Sequence, residues 1–241
     1  MIRYLEKQNL LILETERTSY WIGLAYPAPV CLHWGRKIAP EDADMFEPIG
    51  GHSSFDTELW RERMEYPAFD GRTFENVSLK ADVPLNLRTK GVRVQGQQAE
   101  ITLADEANVM EVCLMYRVFE DCDVIEKHAR LTANAPVRLT RMDSGACLLP
   151  HEAKPWTAHY AVGAWAGEFR RRMAKLEEGE LRLQSVRGMS GPHMNPFLIA
   201  ANSEDEETGE AYGGALGWSG CWQITASSTV FGNHRITAGL N

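Results

Sequence analysis

The stretch that most constrains this chain is Val109–Phe119. In it Val112, Leu114, Tyr116 and Val118 share one face, and Glu111, Cys113, Met115 and Arg117 share the other. A period of two kept up over that length specifies a β-strand with one buried face. Asp121 and Asp123 bracket a tight turn and Val124–Leu131 begins the next strand, which predicts a hairpin. Similar segments recur along the chain. Leu10–Leu13, Tyr20–Ala25, Val30–Trp34 and Glu100–Ala104 precede this hairpin, and Val137–Leu149 follows it. The second half continues with His159–Val162, Glu168–Met173, Glu180–Val186, Phe197–Ala200, Tyr212–Trp218, Trp222–Ser227 and Val230–Thr237. Short strands spaced roughly 8–12 residues apart, with turn residues between them, predict an all-β antiparallel sandwich.

One segment fits neither pattern. Gly50–Arg72 crowds His52, Asp56, Trp60, Tyr66, Phe69 and Arg72 between glycines. Long irregular segments inside a domain are uncommon, and ordered ones are often functional. Thr57–Met64 is the one predicted helix, with Asp56 or Ser54 as its cap. Aromatic rings, carboxylates and an arginine in one loop suit recognition of a polyhydroxylated ligand. The same residues also have plain structural readings. Asp56 serves equally well as a helix cap, and Arg72 either clamps a ligand or pairs with Glu65 or Asp70.

Composition removes several classes. A formal charge of −8 over 241 residues argues against a nucleic-acid partner, which needs a concentrated basic surface. The densest basic run, Arg170-Arg171-Arg172 with Lys175, is followed by Glu177, Glu178 and Glu180 and reads as a solvated strand or turn. The acidic tip Asn202–Gly209 reads as a solvated hairpin end. The apolar run at Leu10–Leu13 is too short for a signal-peptide core or a membrane span, so a cytoplasmic protein is expected. Cys31, Cys113, Cys122, Cys147 and Cys221 lack metal-ligand spacing and read as reduced, mostly buried thiols.

Motifs for other chemistries are missing from the sequence. There is no GxxxxGK[ST], no strand–GxGxxG–helix, no GxSxG elbow and no HExxH. No cofactor and no metal are therefore expected. His193, in a proline-bounded loop, reads either as a ligand-facing imidazole or as a loop histidine holding backbone groups. Paired acid/base carboxylates meet in space and not in sequence. Spacing alone therefore leaves Asp56 and Glu65 undecided.

Several stretches in order resemble the N-terminal β-domain of family 36 glycoside hydrolases, the α-galactosidases or melibiases. They are Glu14–Tyr26, Cys31–Ile38, Ser53–Asp56, Glu65–Arg72, Met115–Ala133, Ala166–Arg172, Ser185–Phe197, Gly214–Thr225 and Arg235–Asn241. The resemblance implies an antiparallel β-supersandwich, galactose mutarotase-like, over residues 1–241. It also implies that the domain is incomplete at its C-terminal end, and that the family's catalytic (β/α)₈ barrel, about 250 residues by itself, is absent. The barrel carries the aspartate nucleophile and acid/base of the retaining mechanism, so this chain is expected to hold no catalytic residue. What it implies instead is a substrate-binding set of Phe55, Asp56, Trp60, Tyr66 and Arg72. In this set Asp56 and Arg72 reach the sugar across a subunit interface. The implied partners are α-galactosides of the melibiose and raffinose type and further copies of the chain in a tetramer. Nucleic acid and membrane are not expected partners. A stand-alone carbohydrate-binding or mutarotase-like module is the competing reading, and a purely structural assembly domain is a third.

Overall fold

Strands form wherever the alternation is sustained, and several also form where it is weak. The computed structural model describes all residues except 42–52, 54, 74–75, 151–154, 178, 190, 192, 204–207 and 230. The chain divides into two units, Met1–Leu148 and Leu149–Asn241.

In the first unit β1 (Ile2–Leu5), β2 (Leu10–Glu14), β3 (Thr18–Gly23) and β4 (Val30–Arg36) form one antiparallel meander. β5 (Leu79–Ala81) comes next in the chain. Then β6 (Leu87–Gln95), β7 (Gln98–Asp105), β8 (Met110–Phe119) and β9 (Val124–Ala133) form a second meander. β10 (Leu139–Leu148) pairs with β5. Reversals between neighbouring strands use residues that tolerate a left-handed backbone: Asn9 (φ 50), Gly96 (φ 61), Asn108 (φ 56) and Asp123 (φ 52). The Asp123 carboxylate accepts bonds from the Thr15 hydroxyl (2.5 Å), the Arg17 backbone N–H (3.1 Å) and Arg17 Nε (2.6 Å), which ties the β8–β9 tip to the β2–β3 turn.

The core of this unit gathers Leu11, Leu13, Tyr20 and Ile22 from the first meander with Ile101, Leu103, Val112, Leu114 and Val118 from the second. Burying each aliphatic side chain in such a cluster contributes about 1.5–3 kcal/mol. β2 is buried on both faces, because Leu10 and Ile12 pack with Trp21 in a smaller cluster on the other side.

The second unit holds β11 (Thr157–Val162), β12 (Arg170–Lys175), β13 (Gly179–Ser185), β14 (Phe197–Ala201), β15 (Ala211–Ala215), β16 (Trp222–Ser228) and β17 (His234–Leu240). Four of these make a sheet in the order β12-β11-β14-β15, while β13, β16 and β17 run antiparallel side by side. Trp156 and Trp222 are fully buried. Trp156 donates its Nε1 to Pro150 O at 3.1 Å and meets Tyr212 edge to face at 5.6 Å. The basic run is β12, exposed along most of its length, as the charge pattern predicts. The ends of the acidic tip join β14 to β15, with Asn202 N–H donating to Glu210 O at 3.1 Å; its residues 204–207 lie outside those described.

Three expectations need correction. The chain is all-β, but the described strands form four small antiparallel sheets of propeller-blade size and not a β-supersandwich. The physical reason is the tightness of the turns, which pair most strands with their sequence neighbours before a broad sheet can build. The predicted helix Thr57–Met64 shrinks to a 3-10 turn, Leu59–Arg63, whose cap position is Glu58 with no side-chain capping bond. Asp56 therefore caps nothing, and Ser54 lies outside the described residues. The five thiols are free, but only Cys31 and Cys113 are buried. No helix among the described residues is long and apolar enough to cross a membrane.

Candidate functional site

Of the predicted loop, residues 50–52 and 54 lie outside the described residues, His52 among them. The rest separates into a fixed base and an exposed rim. The base is stitched down on two sides. Glu65 N–H donates to Pro29 O at 2.8 Å and Phe69 N–H to Leu79 O at 2.9 Å, while Ser78 N–H donates to Pro67 O at 2.8 Å. Isolated bridges join Met64 to Val30 and Ala68 to Leu79. The short apolar and proline-containing run MEYPA is what lets this segment lie extended against its neighbours.

Glu65 is the base's deepest anchor, at 3% exposure. It accepts bonds from Tyr20 Oη, from Tyr116 Oη at 3.1 Å and from Lys127 Nζ at 2.7 Å. Lys127 Nζ also donates to Ala146 O at 3.0 Å and lies 3.9 Å from the centre of the Tyr20 ring. Burial, followed by the charges of Cys31 and Glu65, drives the Tyr20 phenol well above its ordinary range. Burial and then Glu65 do the same to Tyr116, and push the Cys31 thiol up to about 11. Glu65 is thus a carboxylate saturated by three donors. This makes it an anchor and removes it as one half of an acid/base pair.

Asp70 closes the base. It accepts from the backbone N–H groups of Arg72 (2.9 Å) and Thr73 (3.2 Å), from Thr73 Oγ1 (3.1 Å) and from Arg61 Nη1. Partial burial opposes its ionisation, but the Arg72 backbone N–H and the Arg61 guanidinium outweigh it and hold the carboxyl below its usual range. Arg61 also binds Glu58 at 2.6 Å and lies 5.0 Å from the centre of the Trp60 ring. Trp60 in turn stacks on Tyr26, with centroids 6.5 Å apart and planes 23° apart. Arg61, Trp60 and Tyr26 therefore form a ladder.

The predicted site residues fall into three environments. Phe55 (93% exposed), Asp56 and Arg72 stand on the surface. Trp60 is half-buried in the ladder. Tyr66 is in the core, its hydroxyl donating to Asp143 O at 2.8 Å, and burial raises that phenol above its usual range. The side-chain pairing suggested for Arg72 goes elsewhere: Lys127 is the cation at Glu65 and Arg61 the cation at Asp70. Arg72 gives Asp70 its backbone N–H instead. Gly71, at φ +83, makes the turn that separates Arg72 from the base. His193 is exposed.

Sequence reasoning missed Lys127, Tyr20, Tyr116 and Arg61. The first three lie 62, 45 and 51 residues from Glu65, and no spacing rule links them. Among the described residues no three His, Cys, Asp or Glu side chains are placed to hold a metal ion. The rim offers one carboxylate, one guanidinium and one aromatic ring to a ligand. Such groups accept from hydroxyls, donate to them and cover an apolar ring face.

This chain is similar to known proteins over nearly its whole length. The model of the "Glycosyl hydrolase family 36 N-terminal domain" matches residues 27–241. Alpha-galactosidase 2 of Pediococcus pentosaceus is 26% identical over 275 aligned positions, covering 99% of this chain and 38% of that protein. Alpha-galactosidase AgaA of Geobacillus stearothermophilus is 28% identical over 148, covering 61% of this chain and 20% of that protein. The galactosidase domain of the alpha-galactosidase-sucrose kinase AgaSK has the same fold, with a TM-score of 0.87 at 23% identity, and the match covers 100% of this chain and 38% of that one. An AgaA variant solved in complex with raffinose superposes with a TM-score of 0.84 at 24% identity, covering 96% of this chain and 37% of that one. The chain spans less than two fifths of the length of each of these proteins.

Proposed function

Since the chain belongs to the glycosyl hydrolase family 36 N-terminal domain family, we propose that it is the accessory β-domain of an α-galactosidase. The intact enzyme hydrolyses terminal α-galactosides of the melibiose and raffinose type with retention, and its catalytic carboxylates lie outside this chain. The contribution of this domain is a substrate rim. The Asp56 carboxylate accepts bonds from sugar hydroxyls, the Arg72 guanidinium donates to them, and Phe55 covers a ring face. Trp60 and Tyr66 act behind the rim, as the ladder and core groups that fix the base. The rim is offered to the active site of a neighbouring subunit in a homotetramer.

The observation that carries this reading is that Phe55, Asp56 and Arg72 are exposed on a loop whose base is fixed by Glu65 and Asp70. Surface groups on a rigid support are what a ligand-binding rim requires. Replacing Asp56→Ala or Arg72→Ala in the intact enzyme tests it. The expected result is a fall in kcat/KM for raffinose of about tenfold to a hundredfold, the scale of losing hydrogen bonds to a charged group. Kinetics unchanged in both variants would remove the rim role.

A further inference from the structure

A second feature of the first unit is unused by this reading. A cleft of about 430 Å³ is lined by Tyr4, Asn9, Tyr26, Arg88, Thr89 and Glu106, among others. Its volume lies in the range of small-ligand sites. Every lining residue belongs to Met1–Leu148, so the cleft is complete within that unit.

The lining is both aromatic and polar, and the polar groups are pre-arranged. Arg88 Nε binds Glu106 Oε1 at 2.7 Å. Asn86 Nδ2 donates to Glu106 Oε2. The guanidinium charge is thereby offset in place, while Lys90 adds a second cation to the lining. Tyr26 is braced by Trp60 in the ladder described above. The β6–β7 register slips between Thr89 and Gly91, a bulge of the kind that re-aims side chains beside ligand sites. At this bulge Thr89 donates its backbone N–H to Pro27 O at 3.0 Å, which fixes the strand beside the cleft.

We propose that this cleft binds a neutral sugar ring, of the hexopyranose type found in oligosaccharides. The two tyrosine rings match the apolar C–H face of such a ring. Asn9 and the Arg88–Glu106 pair match its hydroxyls as donors and acceptors. Arg88 is already neutralised by Glu106, but Lys90 also lines the cleft, so an inorganic anion is the competing occupant that the test must separate. The choice of sugar over other polyols rests on the α-galactosidase reading, while the existence of a site rests on the cleft itself.

Gly91 provides a clean test. Gly91 lines the cleft, a Cβ added there meets no atom within 4 Å and the position carries no left-handed φ, so Gly91→Leu adds bulk at the cleft without straining the fold. Raffinose is titrated calorimetrically into the 241-residue chain, with thermal melts to show that each variant folds. Saturable binding is expected, weakened about tenfold or more in Gly91→Leu and in Tyr4→Ala, the scale of losing one ring contact. No saturable raffinose heat, unchanged affinity in Gly91→Leu, or binding of inorganic phosphate in place of raffinose would each overturn the proposal. The rim is tested by turnover in the intact enzyme and the cleft by binding to this chain alone, so either can fail without the other.

Discussion

Glu65 and Asp56 belong to one loop, and the fold treats them in opposite ways. Glu65 is 3% exposed and holds three donors from three strands, β3, β8 and β9. Asp56 stands in solvent, with its own backbone N–H on Ser53 O at 3.0 Å. A carboxylate saturated by the protein serves architecture, whereas one left in water keeps its acceptors for something that arrives. The loop is therefore a support and a rim, and the two halves should answer differently to the same kind of substitution.

The largest effect is expected at the support. Glu65→Ala leaves the Lys127 ammonium and two phenols without their acceptor, and removing one partner of a buried pair costs about 3–5 kcal/mol. Urea unfolding measures it, and a loss under about 1 kcal/mol would dissolve the distinction between support and rim. Next comes the alkaline limit of the same network. The Cys31 thiol rises from 9.0 to about 11 because burial and Glu65 disfavour its thiolate. The fold prefers the protonated form, so this contribution is complete below pH 9.0 and disappears as pH rises through about 11. Its size is about 3 kcal/mol by linkage. The melting temperature should fall across that window, and Cys31→Val should flatten the fall; an equal slope in the variant would assign the alkaline loss to other groups. The smallest effect belongs to the rim. Phe55→Ala and Arg72→Ala should change unfolding free energy by no more than about 0.5 kcal/mol. A clear drop in either would mean that the rim is anchored too.

How much of this was legible follows from how local each signal is. β8 reads directly from Val112, Leu114, Tyr116 and Val118 because its alternation is strict, and the burial of that strand follows it. β6 does not read at all. LRTKGVRVQ is mostly exposed, so no buried face imprints a period on it, and β1 and β5 are too short to show one. Sheet size was illegible for a different reason: alternation says which face is buried but not how many strands share a sheet. The crowding of functional residue types in Gly50–Arg72 was visible, and so was Arg72 at its end. What separates Tyr66 from Phe55 is burial set by distant strands, and what assigns Glu65 to Lys127 is a pairing across the fold. Neither leaves a trace in a single stretch of sequence.

The stitching of Met64–Phe69 to Pro29, Ser78 and Leu79 has a thermodynamic consequence for assembly. Fixing the backbone of a residue costs about 1–2 kcal/mol of conformational entropy, and here that cost falls on the folding of the first unit. The segment leading to Arg72 enters any later association already ordered, so the free energy of contact with a neighbouring subunit or a sugar goes into affinity and not into organising the loop's base.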